Sequence, residues 1–158
     1  MMQRREMLGM LGAAAGMVIL SDSHSSAQQK ALAAGEQQRE VVTGIGGFFF
    51  RANDPKALAA WYQDHLGVLL TPEKAGDPVW MQQSGPTSFT PFSQKTSYFG
   101  DPSKQWMINF RVANLERLAK QLQAAGIVVK VDATSSPCGR FARLQDPEGN
   151  GIELWQPA

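Results

Sequence analysis

The chain has 158 residues, a formal net charge of +1 and an ordinary mixture of apolar and polar residues, so its length suits one domain with a core of its own. The charge balance, with no block of like charge, gives no electrostatic case for nucleic acid or an anionic membrane as partner. A single cysteine, Cys138, excludes an internal disulfide.

The N-terminus reads as a targeting segment. Gln3-Arg4-Arg5-Glu6 precedes an apolar, Gly- and Ala-rich run from Met7 to Leu20. That run falls short of the roughly 20 residues needed to span a bilayer, which predicts a signal-peptide core. Ser25 and Ala27 are small residues at the two positions a signal peptidase reads, placing cleavage after Ala27. The paired arginines and weakly hydrophobic run resemble a twin-arginine export signal, which implies a bacterial protein delivered folded to the periplasm. The expected division is a signal peptide at 1–27, a Gln-, Ala- and Glu-rich linker at 28–42 and a domain at 43–158. Removing the leader takes Arg4 and Arg5 together with Glu6 and Asp22, so the net charge is unchanged, and His65 becomes the lone histidine. Cys138 reads as a passive small residue before a Gly turn, with thiol chemistry left open in an oxidising compartment.

From residue 43 onward the elements follow in two similar units. Gly44-Ile45-Gly46-Gly47-Phe48-Phe49-Phe50-Arg51-Ala52 predicts a strand. Asn53-Asp54-Pro55 then caps a helix that runs through Leu58, Trp61, Tyr62 and Leu66 to Gly67. Short strands are expected at 68–70, 79–82 and 96–99, with turns at Gly85-Pro86 and Thr90-Pro91. The second unit opens with a strand at 106–112, and Asn114 caps a helix striped by Leu115, Leu118 and Leu122 that ends at Gly126. Strands at 127–131, 140–145 and 152–156 follow, the last two joined by Asp146-Pro147-Glu148-Gly149-Asn150, whose residues suit a tight turn. Displaced by 60 positions, Phe50, Arg51, Leu58, Ala59 and Gln63 recur as Phe110, Arg111, Leu118, Ala119 and Gln123. Such identity in phase predicts a duplicated unit, with module one at 43–103 and module two at 104–158.

Paired βαβββ units, with Trp61-Tyr62-x-x-His65-Leu66-Gly67 and Asp146-Pro147-Glu148-Gly149-Asn150-x-Ile152-Glu153-Leu154-Trp155, resemble the vicinal oxygen chelate superfamily of glyoxalase, bleomycin-resistance and extradiol-dioxygenase-like proteins. The resemblance implies an α+β fold of two βαβββ modules forming a curved, partly open mixed sheet. It does not fix a reaction, because function resides in the site grafted on the fold. In metal-dependent members each module's first strand begins with a ligand, at positions that fall here on Gly47 and Met107, neither of which supplies a hard donor. The last-strand ligand corresponds to Glu153, the best candidate for a catalytic or metal-binding side chain. A further Glu is often found where this chain offers Gln82 or Gln83. His65, at a helix C-terminus, reads as a packing or capping residue.

Side-chain alternation places Phe49 and Arg51 on the face of Gly47, Asn109 and Arg111 on that of Met107, and Trp155 on that of Glu153. With the resemblance, these become the expected ligand-binding residues, a set suited to an anionic or polar-aromatic organic molecule. The reading is therefore an exported protein that binds a small organic ligand with an incomplete metal site. The alternative is a metal-assisted lyase or dioxygenase-type enzyme in which Glu153 holds a divalent ion or moves a proton next to a carbonyl. Export and the incomplete ligand set argue against glutathione-dependent glyoxalase I. One chain carries both modules, and a homodimer is equally consistent.

Overall fold

A computed structural model of the chain describes residues 40–158. The expected leader and most of the linker lie outside the described residues. The elements are helix α1 (Pro55–Leu66), strand β1 (Ile108–Arg111), helix α2 (Leu115–Ala124) and strands β2 (Lys130–Val131), β3 (Arg140–Gln145) and β4 (Gly151–Gln156).

Both helices start and stop on the residues whose chemistry calls for it. The Asp54 carboxylate accepts from the Ala57 N–H, Pro55 occupies the first turn where no donor is required, and Gly67 ends α1 at φ 70°. There the Gly67 N–H returns to Gln63 and Tyr62 carbonyls, which left-handed backbone allows at no Cβ cost. Asn114 caps α2 by accepting from the Arg117 N–H at 2.8 Å. The Gln156 side chain accepts from the Leu115 N–H at 2.8 Å, so the last strand also secures the start of α2.

The sheet is four-stranded and mixed, in the order β1-β4-β3-β2. β1 runs parallel to β4, while β3 pairs antiparallel with both β4 and β2. Period-two alternation divides the residues between its faces. Ile108, Phe110, Ala142, Leu144, Ile152 and Leu154 meet Leu58 and Tyr62 of α1 and Leu115, Ala119 and Leu122 of α2 in one core. Asn109, Arg111, Phe141, Arg143, Glu153 and Trp155 occupy the opposite face, and that face carries the site.

The architecture is the expected mixed α+β fold with a sheet not closed into a barrel. Its second half is a full βαβββ module. From the first half α1 forms as expected, whereas the segments expected as strands at 44–52, 68–70, 79–82 and 96–99 have no ladder among the described residues. Glycines 44, 46 and 47 raise the entropic cost of extension, and Pro78, Pro86 and Pro91 remove ladder donors. These segments attach through side chains instead. Phe48 and Phe50 rest on Trp106 with ring centroids at 4.9 and 4.7 Å, and Trp80 meets Phe110 edge-on at 6.1 Å.

Candidate functional site

The sheet register sets four polar side chains in one transverse row. Asn109 on β1 pairs with Glu153 on β4, Glu153 with Arg143 on β3, and Arg143 with Lys130 on β2. Directly paired residues project to the same face with Cβ atoms about 5 Å apart. An amide, a carboxylate, a guanidinium and an ammonium therefore stand side by side across the whole sheet.

Glu153 is 1% exposed, and a buried carboxylate is costly unless charge and hydrogen bonds compensate it. Tyr98 Oη donates to Glu153 Oε1 at 2.7 Å and Asn109 Nδ2 to Oε2 at 2.8 Å. Arg143 Nη2 lies 3.4 Å from Oε1, completing an ion pair whose cationic side chain is 33% exposed. Arg143 also donates through Nη1 to the Tyr98 carbonyl at 3.0 Å and holds its guanidinium 4.0 Å from the centre of the Tyr98 ring. Phe92 stacks on that ring at 5.0 Å. Burial pushes the Tyr98 phenol up to about 12, with the charge and hydrogen bond of Glu153 adding to the rise and Arg143 opposing it. Tyr98 is thus held as a neutral donor to an ionic partner.

A cleft of about 510 Å³ opens beside this network. Its walls include Trp61 from α1, Tyr98 and Phe99 from the preceding loop, Met107, and the Lys130 and Arg143 pair. A second hollow of about 370 Å³ shares Phe99 and Met107 with it and extends to Phe92 and Trp106. Aromatic rings, a thioether and two cations make a surface that packs planar apolar groups and attracts negative charge.

The motif Asp146 to Asn150 has a structural task at the edge of the cleft. The Asp146 carboxylate accepts from the backbone N–H groups of Glu148 and Asn150, the Asn150 amide and the Tyr62 hydroxyl, so four donors occupy it. Glu148 reaches the first half of the domain, where its carboxylate accepts from the backbone N–H groups of Asn53 (2.9 Å) and Asp54 (3.0 Å) at the start of α1. Lys104 Nζ fixes the same turn through the Glu148 carbonyl and Asn150 Oδ1, at 3.1 and 3.0 Å. The most distinctive motif of the sequence therefore clamps α1 to the β3–β4 hairpin.

The residues singled out from the sequence fall in several environments. Asn109 lies beside Glu153 and is hydrogen-bonded to it. Trp155, on the same strand face, is 6% exposed, stacks parallel to Phe141 at 6.3 Å and donates its indole N–H to the Cys138 carbonyl. Arg111 is engaged by the chain, donating to the Ser84 carbonyl at 3.1 Å and the Gln83 carbonyl at 2.6 Å. Phe49 is 92% exposed and Arg51 is exposed too. None of Phe49, Arg51, Asn109, Arg111 and Trp155 lines the 510 Å³ cleft. His65 contacts the Trp61 ring at 5.3 Å at the end of α1. Cys138 sits in the tight Ser136 to Gly139 turn, its N–H donating to Ser136 Oγ.

Tyr98, Arg143 and Lys130 were not singled out by the sequence. A signal existed for Arg143: counting outward from the Asp146 to Asn150 turn along two antiparallel strands brings it opposite Glu153. Tyr98 had no such signal, since its bond to Glu153 spans 55 positions from a segment without strand pairing.

The donor set does not fit a divalent metal ion. Gly47 has no side chain, Met107 packs against Gly151, and the Gln83 carbonyl serves Arg111. Both Glu153 oxygens face hydrogen donors, and a guanidinium stands 3.4 Å from one of them, where its charge would oppose a second cation. Among the described residues no three His, Cys, Asp or Glu side chains converge.

A family model described as a glyoxalase-like domain matches residues 47–155. TnmS3, an antibiotic binding protein from Streptomyces sp. CB03234, aligns with 76% of this chain and 100% of its own at 22% identity and a TM-score of 0.52. A glyoxalase/bleomycin resistance protein from the same Streptomyces is 30% identical over 33% of this chain and 46% of its own, with a TM-score of 0.30. A structure from the mobile metagenome of V. Pseudocholerae aligns over 75% of this chain and 99% of its own at 17% identity and a TM-score of 0.45. No curated protein matches the chain. The likeness to TnmS3 is one of fold.

Proposed function

The chain belongs to the glyoxalase-like domain family, and from that premise we propose that it is a binding protein for a small planar organic molecule, exported to the bacterial periplasm and working without a metal centre. One observation carries this reading: the carboxylate expected to hold a metal is consumed by Tyr98, Asn109 and Arg143, and the adjoining cleft is walled by Trp61, Tyr98, Phe99 and Met107. Burying a planar apolar group against such walls supplies affinity at about 25 cal/mol per Å² removed from water, less the cost of association. TnmS3, of the same fold, is an antibiotic binding protein, a function of the same kind. Export rests on Arg4-Arg5, the run from Met7 to Leu20 and the small residues Ser25 and Ala27. No helix among the described residues is long and apolar enough to cross a membrane.

The direct test uses protein stripped of metal by a chelator and naphthamide, an uncharged planar probe. Saturable quenching of tryptophan emission, weakened in Trp61→Ala, is the expected result. A stoichiometric, tightly held divalent ion that is lost in Glu153→Ala would replace this reading with a metal-assisted enzyme. Export is tested by sequencing the N-terminus of protein recovered from the periplasm, which is expected to begin at Gln28.

A further inference from the structure

The four-strand row contains an imbalance that the binding reading leaves unexplained. Lys130 and Arg143 are direct cross-strand partners, and like charges so placed destabilise a sheet. Glu153 answers Arg143 from the other side. Lys130 is exposed and has neither a hydrogen-bond nor an ion-pair partner among the described residues. Both cations line the cleft. The carboxylate that lines the cleft with them, Asp146, is 5% exposed and occupied by four donors. The cleft therefore presents one uncompensated positive charge beside a forked donor that is one-third exposed.

We infer that Lys130 and Arg143 form an anion subsite, and that the ligand class is a planar aromatic carboxylate or an acid of similar shape. This rests on the binding reading and adds to it where the charge goes. The acid group lies between the ammonium of Lys130 and the outer N–H groups of Arg143, while the ring packs toward Tyr98, Phe99 and Trp61. Glu153 then has a stated purpose. Through its contacts with Tyr98 and Arg143 it holds the guanidinium plane in place before the ligand arrives, so less rotamer freedom is lost on binding. A lysine on an edge strand also discourages strand addition, and that role alone leaves ligand preference untouched.

The test compares naphthoate with naphthamide, which have the same ring and differ in charge, on the wild-type protein and on Lys130→Gln. The Lys130 side chain has no hydrogen-bond or ion-pair partner among the described residues, so its replacement is not expected to unfold the protein, and Lys130→Arg serves as the conservative control. Naphthoate should bind about threefold to tenfold more tightly than naphthamide at low salt, a preference that narrows as ionic strength rises. Lys130→Gln should bring the two affinities together by weakening naphthoate more than naphthamide, and Lys130→Arg should restore the difference. Equal affinity for both probes in the wild-type protein would overturn the subsite and leave the binding reading standing. A naphthoate preference that survives Lys130→Gln would overturn it as well, returning Lys130 to edge protection. If neither probe binds to folded protein, the binding reading itself fails and the subsite with it.

Discussion

The Tyr98 hydroxyl donates to Glu153 Oε1 at 2.7 Å, joining a loop of the first half of the domain to the last strand of the second. Because the donor is a phenol and the acceptor a buried carboxylate, the contact persists only while Tyr98 keeps its proton. Its titration is therefore a reporter of the site.

Alkaline pH should expose this dependence. A free phenol titrates near 10.0, and Tyr98 is pushed up to about 12 by burial and then by Glu153. A folded-state pKa above the unfolded one adds stability that is fully present below pH 10 and is lost as pH rises toward 12. The other tyrosine of the chain, Tyr62, donates to buried Asp146 at 3.0 Å, and burial followed by the Asp146 charge raises it in the same sense. Phenolate absorbance should stay low through pH 10 and then appear together with the loss of circular dichroism. Phenolate forming near pH 10 with secondary structure intact would contradict the arrangement. Tyr98→Phe should make stability fall less steeply with pH above 10.

Replacing Glu153 separates a structural carboxylate from a metal ligand. Glu153→Ala leaves Tyr98 and Asn109 without this acceptor and Arg143 without its ionic partner, and breaking a buried pair in this way costs about 3–5 kcal/mol. Glu153→Gln keeps the shape but turns an amide N–H₂ toward a donor, which costs about 1–3 kcal/mol. Urea midpoints of metal-free protein measure both. A Gln variant as stable as the wild type, or more so, would mean that the carboxylate serves something other than this network.

Glu148 should matter to α1 although it lies in neither helix. Its carboxylate receives the Asn53 and Asp54 N–H groups, which have no acceptor within the helix, and its charge faces the positive helix end. Glu148→Ala is expected to cost about 1–2 kcal/mol and to speed hydrogen exchange at the Asn53 and Asp54 amides. Lys120→Ala, which breaks the exposed pair with Glu116, should cost no more than about 0.5 kcal/mol. Equal effects of the two would remove Glu148 from its role as the clamp between α1 and the β3–β4 hairpin.

What could be read from the sequence follows the range of the forces involved. Helix caps are local, and Asp54, Pro55, Gly67 and Asn114 stand where their side-chain chemistry requires. β3 and β4 are joined by a short turn, so alternation and turn residues are enough to find them. β1 is found because its core face, Ile108 and Phe110, pairs with Ile152 and Leu154. The first-half segments fared otherwise. A strand needs a partner edge as well as extended residues, and Phe48, Phe50 and Trp80 satisfy their apolar character by ring contacts instead of a ladder. Glu153 was singled out through the family resemblance and Asn109 by alternation from Met107, and the two stand hydrogen-bonded side by side. Arg143 required the hairpin register, and Tyr98 required a tertiary contact that no local pattern encodes.

Arg111 gives a last test, because parity placed it toward a ligand while the fold has it holding a loop. Its guanidinium donates to the Gln83 and Ser84 carbonyls, and a Cβ built on Gly85 would overlap it. Gly85→Ala is accommodated only if Arg111 withdraws and gives up both bonds. Arg111→Ala gives up the same bonds from the other side. Arg111→Ala should therefore cost about 1–2 kcal/mol, the worth of charge-assisted bonds reduced by partial exposure, and Gly85→Ala more, because an L residue at φ 156° adds backbone strain of its own. The double variant should cost less than the sum of the two, since the lost Arg111 bonds are shared while the strain belongs to Gly85→Ala alone. Urea midpoints of the four proteins close the cycle, and strict additivity would show that Gly85 and Arg111 act separately. Naphthamide affinity should be unchanged throughout, because Arg111 does not line the cleft. Loss of binding in Arg111→Ala without loss of stability would return this arginine to the ligand.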